Sequence, residues 1–149
     1  MCAETAYLIE LTAAFLRDEP VTLRPDYHKL CGIAKAHNLI AVVYAVCNKA
    51  PNTEVIPEDC RLALSEHFFS SVFLYEHQKQ GVERVYRVLS DAGIPHVFFK
   101  GAILKELYPV PECRLMGDID LLINPANRQA AKKALMSSGF ACTAQNGPV

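Results

Sequence analysis

Two aspartates, Asp118 and Asp120, stand one residue apart at the start of an apolar run. Alternate side chains of an extended strand share a face, so this spacing predicts two carboxylates on one side, about 7 Å apart at Cα. Ile119 and Leu121 would then point the other way, into the core. Carboxylate oxygens suit Mg²⁺ (or Mn²⁺), and a pair of such ions can hold the attacking and leaving oxygens of a phosphoryl displacement.

An isolated Asp-x-Asp is more often a solvated pair on an edge strand than a metal site. In this chain the apolar run Leu121 to Ile123 predicts an internal strand instead. Like charges side by side also repel one another unless a cation lies between them. We therefore favour metal binding by Asp118 and Asp120 over the surface interpretation.

A glycine, Gly101, separates a short apolar run from a helical segment. The first free amides of a helix, together with its dipole, bind phosphate, and glycine permits close backbone approach. Lys100 and Arg114 are cations near these positions and could neutralise phosphate oxygens. Each could equally be a surface charge or a partner of Asp118, and we rate the phosphate role somewhat higher for Arg114.

Helical spacing of apolar residues predicts that residues 1–92 form a helical region. The predicted helices are Glu4 to Arg17, Tyr27 to Ala36, Leu39 to Lys49 and Pro57 to Asp91. A bend is expected near His37 and Asn38, between the second helix and the third. The first helix should bury Tyr7, Leu8, Leu11, Ala14 and Phe15, and the last a stripe of Val82, Val85, Tyr86 and Leu89. The cluster Phe68, Phe69, Val72 and Phe73 is interpreted as core.

Residues 93–149 have a different character and predict an α/β core, so the expected fold class is α+β. The predicted strands are Val97 to Phe99, Ile119 to Ile123 and Phe140 to Thr143, and the predicted helices are Ala102 to Tyr108 and a second one from an Asn124 N-cap to Ser138. Asn146-Gly147 favours a tight hairpin, yet only two residues follow it. We therefore expect the core to be truncated at its C-terminus, in a fragment of a longer protein.

Composition excludes several classes of function. The 51% hydrophobic and 21% charged content indicates a globular chain, and a net charge of −1 does not predict general nucleic-acid binding. The apolar run Leu39 to Cys47 is too short to span a bilayer, and no secretory signal is present, so we expect a cytoplasmic protein without membrane contact. Oligomerisation is left open, although a truncated sheet edge would favour pairing.

The cysteines and histidines are not expected to form a site. The six cysteines contain no C-x-x-C pair, so a zinc site is not predicted, and most read as small buried hydrophobes. His37, His67 and His77 lack a partner at ligand spacing and should be structural or exposed. His96 enters the strand before Lys100, where a capping role is favoured over nucleotide contact.

The combination of motifs is more specific than any one of them. The stretch from Phe98 to Ala102, followed by Arg114-Leu115-Met116-Gly117-Asp118-Ile119-Asp120, resembles the polymerase-β-like nucleotidyltransferase superfamily. More narrowly it is similar to the bacterial group described as uncharacterised nucleotidyltransferases, in which a Lys-Gly element, a Tyr-Pro turn (Tyr108-Pro109) and Arg-x-x-x-Asp-x-Asp recur in this order. The motifs cover about 26 residues, and the fit of the flanking segments extends the resemblance over most of the chain.

The resemblance implies a palm fold and transfer of a nucleoside monophosphate from an NTP such as ATP to an unknown acceptor. Asp118 and Asp120 would hold Mg²⁺, and Gly101 with its helix would hold the triphosphate. Two departures from the pattern matter. Ala102 replaces the usual Gly or Ser, and no acidic residue follows Asp120 to supply the superfamily's third carboxylate.

Two other functions compete with this one. The missing third acid favours a nucleotidyltransferase-like binding or regulatory module without catalysis. A glycosyltransferase also uses Asp-x-Asp to bind a metal and a nucleotide-sugar, but its nucleotide-binding sheet is usually much larger than this chain provides. Titration with UDP-sugars and with NTPs distinguishes a glycosyltransferase from both the nucleotidyltransferase and the binding module.

Overall fold

A computed structural model describes residues 2–24 and 26–143 of the chain. These residues are mostly helical and include one two-stranded antiparallel sheet, which confirms the α+β class. The chain divides into two compact units, one of Met1–Glu76 with Lys105–Met116 and one of His77–Leu104 with Gly117–Val149. The palm architecture and the boundary near residue 92 stay predictions. In the described part of the chain, no helix has the length and apolar character needed to cross a bilayer.

The first unit is built from helices that the apolar periodicity predicts closely. It contains α1 (Ala3–Arg17), α2 (Tyr27–Ala36), α3 (Ile40–Lys49), the beginning of α4 (Glu58–Asp91), and 3-10 turns at Thr53–Val55, Lys105–Leu107 and Pro111–Cys113. All five residues expected on the inner face of α1 are buried. They pack with α2 and α3 around Tyr27 and Leu30, both fully buried.

The connections of this unit are held by specific backbone features. Asn38 adopts a left-handed φ of 56°, so the predicted bend is a true break between α2 and α3. Asn52 fixes the loop after α1, because its amide accepts from the Leu23 nitrogen at 2.9 Å and donates to the Leu23 oxygen at 3.0 Å. The break at Asn38 and the Asn52 contacts thus hold the connections between helices whose positions the apolar pattern predicted.

The prediction that the aromatic cluster on α4 is core is wrong for two of its members. Phe69 and Phe73 are 64% and 71% exposed. Phe68 is half-buried, and its ring stacks on that of Tyr44 at a centroid distance of 4.6 Å. A helix of this length meets the core along one stripe only. Residues one position beyond that stripe are rotated about 100° away from it, so Phe69 and Phe73 face solvent.

The second unit consists of the remainder of α4, strand β1 (His96–Phe98), the short helix α5 (Gly101–Leu104), strand β2 (Leu121–Ile123), a 3-10 turn (Pro125–Asn127) and α6 (Arg128–Ser137). Its core comprises Val85, Leu89, Ile94 and Ala131. Tyr86 was expected in this stripe, but it is 56% exposed. The Asn124 cap is confirmed, since its side chain accepts from the Ala126 nitrogen at 2.9 Å.

The sheet is smaller and more exposed than expected. Strands β1 and β2 pair antiparallel, with Val97 opposite Leu122, and these two side chains are 62% and 60% exposed. The prediction of buried, internal strands is therefore wrong for the outer face of this ribbon, because core residues cover its inner face only. Residues 140–143 form no strand, so the predicted third strand is also wrong. The Asn146-Gly147 turn lies outside the described residues.

Candidate functional site

The candidate site begins where β1 ends. The Phe99 nitrogen donates to the Asp120 oxygen at 3.2 Å, which continues the antiparallel register by one residue. Lys100 then adopts a left-handed φ of 52° and turns the chain into α5. A positive φ is uncommon for lysine and costs backbone energy, so it marks a position whose conformation the surroundings impose.

The prediction that Gly101 opens a helix is confirmed. Helix α5 begins at Gly101 and contains four residues, and the Leu104 nitrogen donates to the Lys100 oxygen at 2.8 Å. The predicted continuation to Tyr108 takes the form of a 3-10 turn, Lys105–Leu107. Ala102 is buried, so its methyl group occupies space inside the unit, whereas Gly101 is half-buried. The left-handed residue of this turn is Lys100, and the sequence did not indicate that.

The prediction that Asp118 and Asp120 lie on a strand is wrong. Regular strand β2 begins at Leu121, and the two aspartates lie in the segment that leads into it. The reason is that the chain turns at Lys100 into α5, so β1 does not extend far enough to pair with residues 118 and 119. Asp118 is exposed, while the Asp120 side chain is 33% exposed.

Ile119, between the two aspartates, is anchored to helix α4. Its Cδ1 lies 3.3 Å from the position that a Cβ at Gly81 would occupy, so a side chain at Gly81 would require Ile119 to shift slightly. The side chain of Ile119 is half-buried there. Of the two residues expected to point inward, Leu121 packs against the core of the second unit, whereas Ile119 is half-buried beside α4.

Lys100 and Asp120 form the one ion pair of this site among the described residues. The Lys100 Nζ lies 3.4 Å from Asp120 Oδ1, and 5.1 Å from the centre of the Phe99 ring. Both side chains have solvent access, so the pair contributes little stability, on the order of 0–1 kcal/mol. A weak pair leaves the carboxylate available to a stronger ligand, and it leaves the ammonium available to phosphate.

Arg114 belongs to the first unit. Its Nη1 donates to the Tyr108 hydroxyl at 3.1 Å, and the guanidinium lies 5.4 Å from the centre of the same ring. The Tyr108 ring in turn lies 6.1 Å from that of Phe15 on α1. The Cys113 thiol donates to the Ala41 oxygen on α3 at 3.3 Å. The contact with Tyr108, and the hydrogen bond of the preceding residue Cys113, therefore restrain the position of Arg114.

The aspartate donor set fits a hard divalent cation. Asp118 and Asp120 offer only oxygen atoms, and Mg²⁺ is commonly held by one or two carboxylates with waters and substrate phosphates completing its shell. Among the described residues, no group of three metal-binding side chains includes either aspartate. The residues present would therefore hold such an ion only together with a phosphate ligand.

Two further side chains near the motif have structural roles in the described residues. His96 Nδ1 donates to the Ile94 oxygen at 2.9 Å, and its ring packs edge-on against those of Tyr86 and Phe98. Lys105 is buried, and its Nζ lies 4.3 Å from the centre of the Tyr75 ring. The sequence did not single out Lys105, because a lysine in a short helical segment resembles an ordinary surface charge.

The exposed histidines behave as expected. His37, His67 and His77 are all on the surface. Among the cysteines, Cys47, Cys60 and Cys113 are buried and Cys31 is half-buried, and no disulfide joins any of the described cysteines. This confirms the interpretation of four of the six cysteines as small side chains in apolar surroundings.

A strand, a Lys-Gly turn into a helix, and an Asp-x-Asp segment next to that turn thus lie together in the second unit. The family model of the uncharacterised nucleotidyltransferases matches residues 24–148. The chain belongs to this family, and nucleotidyl transfer is the general class of activity that this membership supports. No curated protein and no solved structure matches the chain.

Proposed function

We propose that the chain carries the metal–nucleotide site of a nucleotidyltransferase that uses an NTP as donor. The observation that supports this most directly is the Lys100–Asp120 contact of 3.4 Å, which brings the Lys-Gly turn and the Asp-x-Asp segment of the family motif together. The separation of Lys100 and Asp120 in the sequence does not by itself require them to be in contact. The contact supports the proposal because it brings an ammonium group, which we propose binds phosphate, next to a carboxylate, which we propose binds the metal.

In this proposal, each residue has a distinct role. Asp118 and Asp120 hold Mg²⁺ or Mn²⁺, which supplies charge neutralisation for the phosphates when it is bound. Gly101 and Ala102 present backbone amides at the start of α5, and Lys100 contributes a positive charge. A phosphate contact of Arg114, which belongs to the first unit, stays a prediction from the sequence.

The reaction proposed is a displacement at the α-phosphorus of the NTP. An acceptor oxygen forms a bond to that phosphorus, and the bond from the phosphorus to the bridging oxygen of the β-phosphate breaks. Pyrophosphate leaves, and the acceptor loses its proton. The chain's contribution is to orient the triphosphate and neutralise its charge, which is the main catalytic requirement of phosphoryl transfer.

A binding module without catalysis is the second candidate, favoured by the lack of any acidic residue after Asp120 in the chain. The two candidates share the nucleotide site and differ in turnover. Binding of NTP without release of pyrophosphate would identify the module, and release that depends on Asp118 and Asp120 would identify the enzyme. A cytoplasmic location is proposed with either candidate.

The first experiment is thermal unfolding with ATP, GTP, CTP or UTP in the presence of Mg²⁺ or Mn²⁺. Ligand at 100 times its dissociation constant adds about 2.7 kcal/mol to the free energy of unfolding. We expect a metal-dependent rise in Tm that Asp118→Asn/Asp120→Asn abolishes. Asp91→Ala removes an exposed carboxylate of the same unit and should leave the rise unchanged. No rise with any nucleotide, or an equal rise in the double variant, would refute the proposed site.

A further inference from the structure

Three side chains with metal-binding atoms meet where α2 passes the beginning of α4 within the first unit, and a fourth such side chain, Cys31, lies nearby on α2. His28 and Cys31 lie one turn apart on α2, and Asp59 and Cys60 lie in the first turn of α4. His28 Nδ1 lies 3.4 Å from Cys60 Sγ and 3.6 Å from Asp59 Oδ2. The ligand atoms of these three residues all lie within 4.8 Å of one another.

These separations match the edges of a tetrahedral zinc site. Zinc binds sulfur at about 2.3 Å and histidine nitrogen or carboxylate oxygen at about 2.0–2.2 Å in tetrahedral geometry, so its ligand atoms stand roughly 3.4–3.6 Å apart. The two distances from His28 Nδ1 fall in that interval. One ion could therefore contact all three groups after small side-chain movements.

Cys31, one turn after His28 on α2, would supply a second sulfur atom to such a site. Its thiol interacts electrostatically with that of Cys60, but Cys31 lies outside the group of three side chains whose ligand atoms are all within 4.8 Å of one another. Cys31 would therefore have to change its side-chain rotamer to reach the ion. The resulting set has two sulfur atoms, one imidazole nitrogen and one carboxylate. Sulfur and imidazole ligands select zinc-class transition metals over Mg²⁺, in contrast to the oxygen-only pair Asp118 and Asp120.

The surroundings permit a metal to enter and be held. The side chains of His28 and Asp59 are 66% and 71% exposed, which leaves an open path from solvent, whereas Cys60 is buried at the inner end. An exposed ion pair of His28 and Asp59 would explain their approach to each other. The ion pair does not account for the approach of His28 Nδ1 to within 3.4 Å of the buried Cys60 thiol.

We propose that His28, Cys31, Asp59 and Cys60 form a binding site for Zn²⁺ or a similar transition metal, joining α2 to the start of α4. The ion would cross-link positions that are 32 residues apart in the chain. Cross-linking of this kind couples metal binding to the stability of the fold. The site is independent of the nucleotide site proposed above.

The test is titration of the reduced, tag-free, metal-stripped chain with Co²⁺, followed by displacement with Zn²⁺. Tetrahedral thiolate binding of Co²⁺ gives visible d–d bands and a sulfur-to-cobalt charge-transfer band. We expect one equivalent to bind, Zn²⁺ to bleach the bands, and Zn²⁺ to raise the Tm. His28→Asn and Asp59→Asn change exposed ligands, and each should weaken binding by at least about tenfold. His67→Asn and Cys2→Ser, exposed and outside the cluster, should bind as the wild type does.

The outcomes are decisive in both directions. Absence of a charge-transfer band in the reduced wild-type chain overturns the site, and so does unchanged affinity in His28→Asn, whose fold circular dichroism would verify. Cys31→Ser should lower the charge-transfer intensity, since one sulfur ligand is lost. Unchanged intensity in that variant overturns the assignment of Cys31 as the fourth ligand.

Discussion

The buried thiol of Cys113 should make the first unit sensitive to alkaline pH. Cys113 is 2% exposed and donates to the Ala41 oxygen at 3.3 Å. Burial, with a smaller effect of the neighbouring Glu112 carboxylate, raises the pKa of this thiol to about 12 from an ordinary value of 9.0. The folded chain thus keeps the proton at pH values where the unfolded chain releases it.

The sign and size of the effect follow from proton linkage. Because the folded pKa is raised, the stabilising contribution is complete below pH 9 and is lost as the pH rises from 9 toward 12. A tenfold change in the unfolding equilibrium per pH unit corresponds to about 1.4 kcal/mol for one group. Between pH 8 and 10, Cys113 should therefore cost the fold roughly 1 kcal/mol of stability.

Cys113→Ala isolates this contribution. At pH 7.5 the variant should be less stable by about 1 kcal/mol, because it loses a weak hydrogen bond and leaves a small cavity. By pH 10 the wild type has lost a similar amount of stability, because the Cys113 thiol ionises in the unfolded chain. The free energies of unfolding of the two proteins should therefore converge. Other titrating groups are common to both proteins and cancel in the difference.

Urea unfolding followed by circular dichroism, under reducing conditions from pH 7.5 to 10, measures this difference. Cys2→Ala provides the control, since Cys2 is an exposed cysteine and its removal should give a gap that stays constant with pH. A gap for Cys113→Ala that stays constant or widens as the pH rises would refute the reasoning. It would mean that the thiol is not protected by burial in the folded chain.

Three further predictions concern the second unit, each measured as a change in Tm or in the free energy of unfolding. Asn124→Ala removes the side-chain acceptor for the Ala126 nitrogen and should cost about 1 kcal/mol, whereas Asn124→Asp should retain most of it; equal stability of all three would exclude a capping role. Arg84→Met should cost about 1 kcal/mol, since Arg84 donates to the Ser138 oxygen and covers the Phe140 ring at 4.9 Å; an unchanged Tm would contradict this. Gly81→Ala should stabilise α4 by up to about 1 kcal/mol, provided that the Ile119 methyl, 3.3 Å from the new Cβ, can shift slightly; a lower Tm would show that Ile119 is rigidly held.

The sequence predicted the helices well because their signals are local. The apolar positions of α1 repeat every three to four residues, and the same five side chains prove to be buried. Gly139, with a φ of 88°, follows α6 at the position where the sequence predicts the helix to end. Caps and breakers act within one turn of the chain, so neighbouring residues contain the information.

The exposure of apolar residues depended on partners that a local pattern cannot show. Val97 and Leu122 stand in apolar runs that predict buried strands, yet both are exposed because the described sheet has two strands and packs one face. Phe69 and Phe73 are exposed for a similar reason, since only one stripe of α4 meets the first unit's core. Periodicity identifies which residues share a face, whereas the tertiary packing decides whether that face is covered.

The sequence shows the residues whose chemistry suits the two candidate sites, but only the tertiary structure decides which of these residues come into contact. Lys100 and Asp120 are 20 residues apart and come together because the antiparallel register of β1 and β2 continues through Phe99. His28 and Cys60 are 32 residues apart and meet because α2 passes the start of α4. The sequence determined local conformation and donor chemistry, and long-range packing decided the contacts, since each contact depends on elements whose mutual position no local signal specifies.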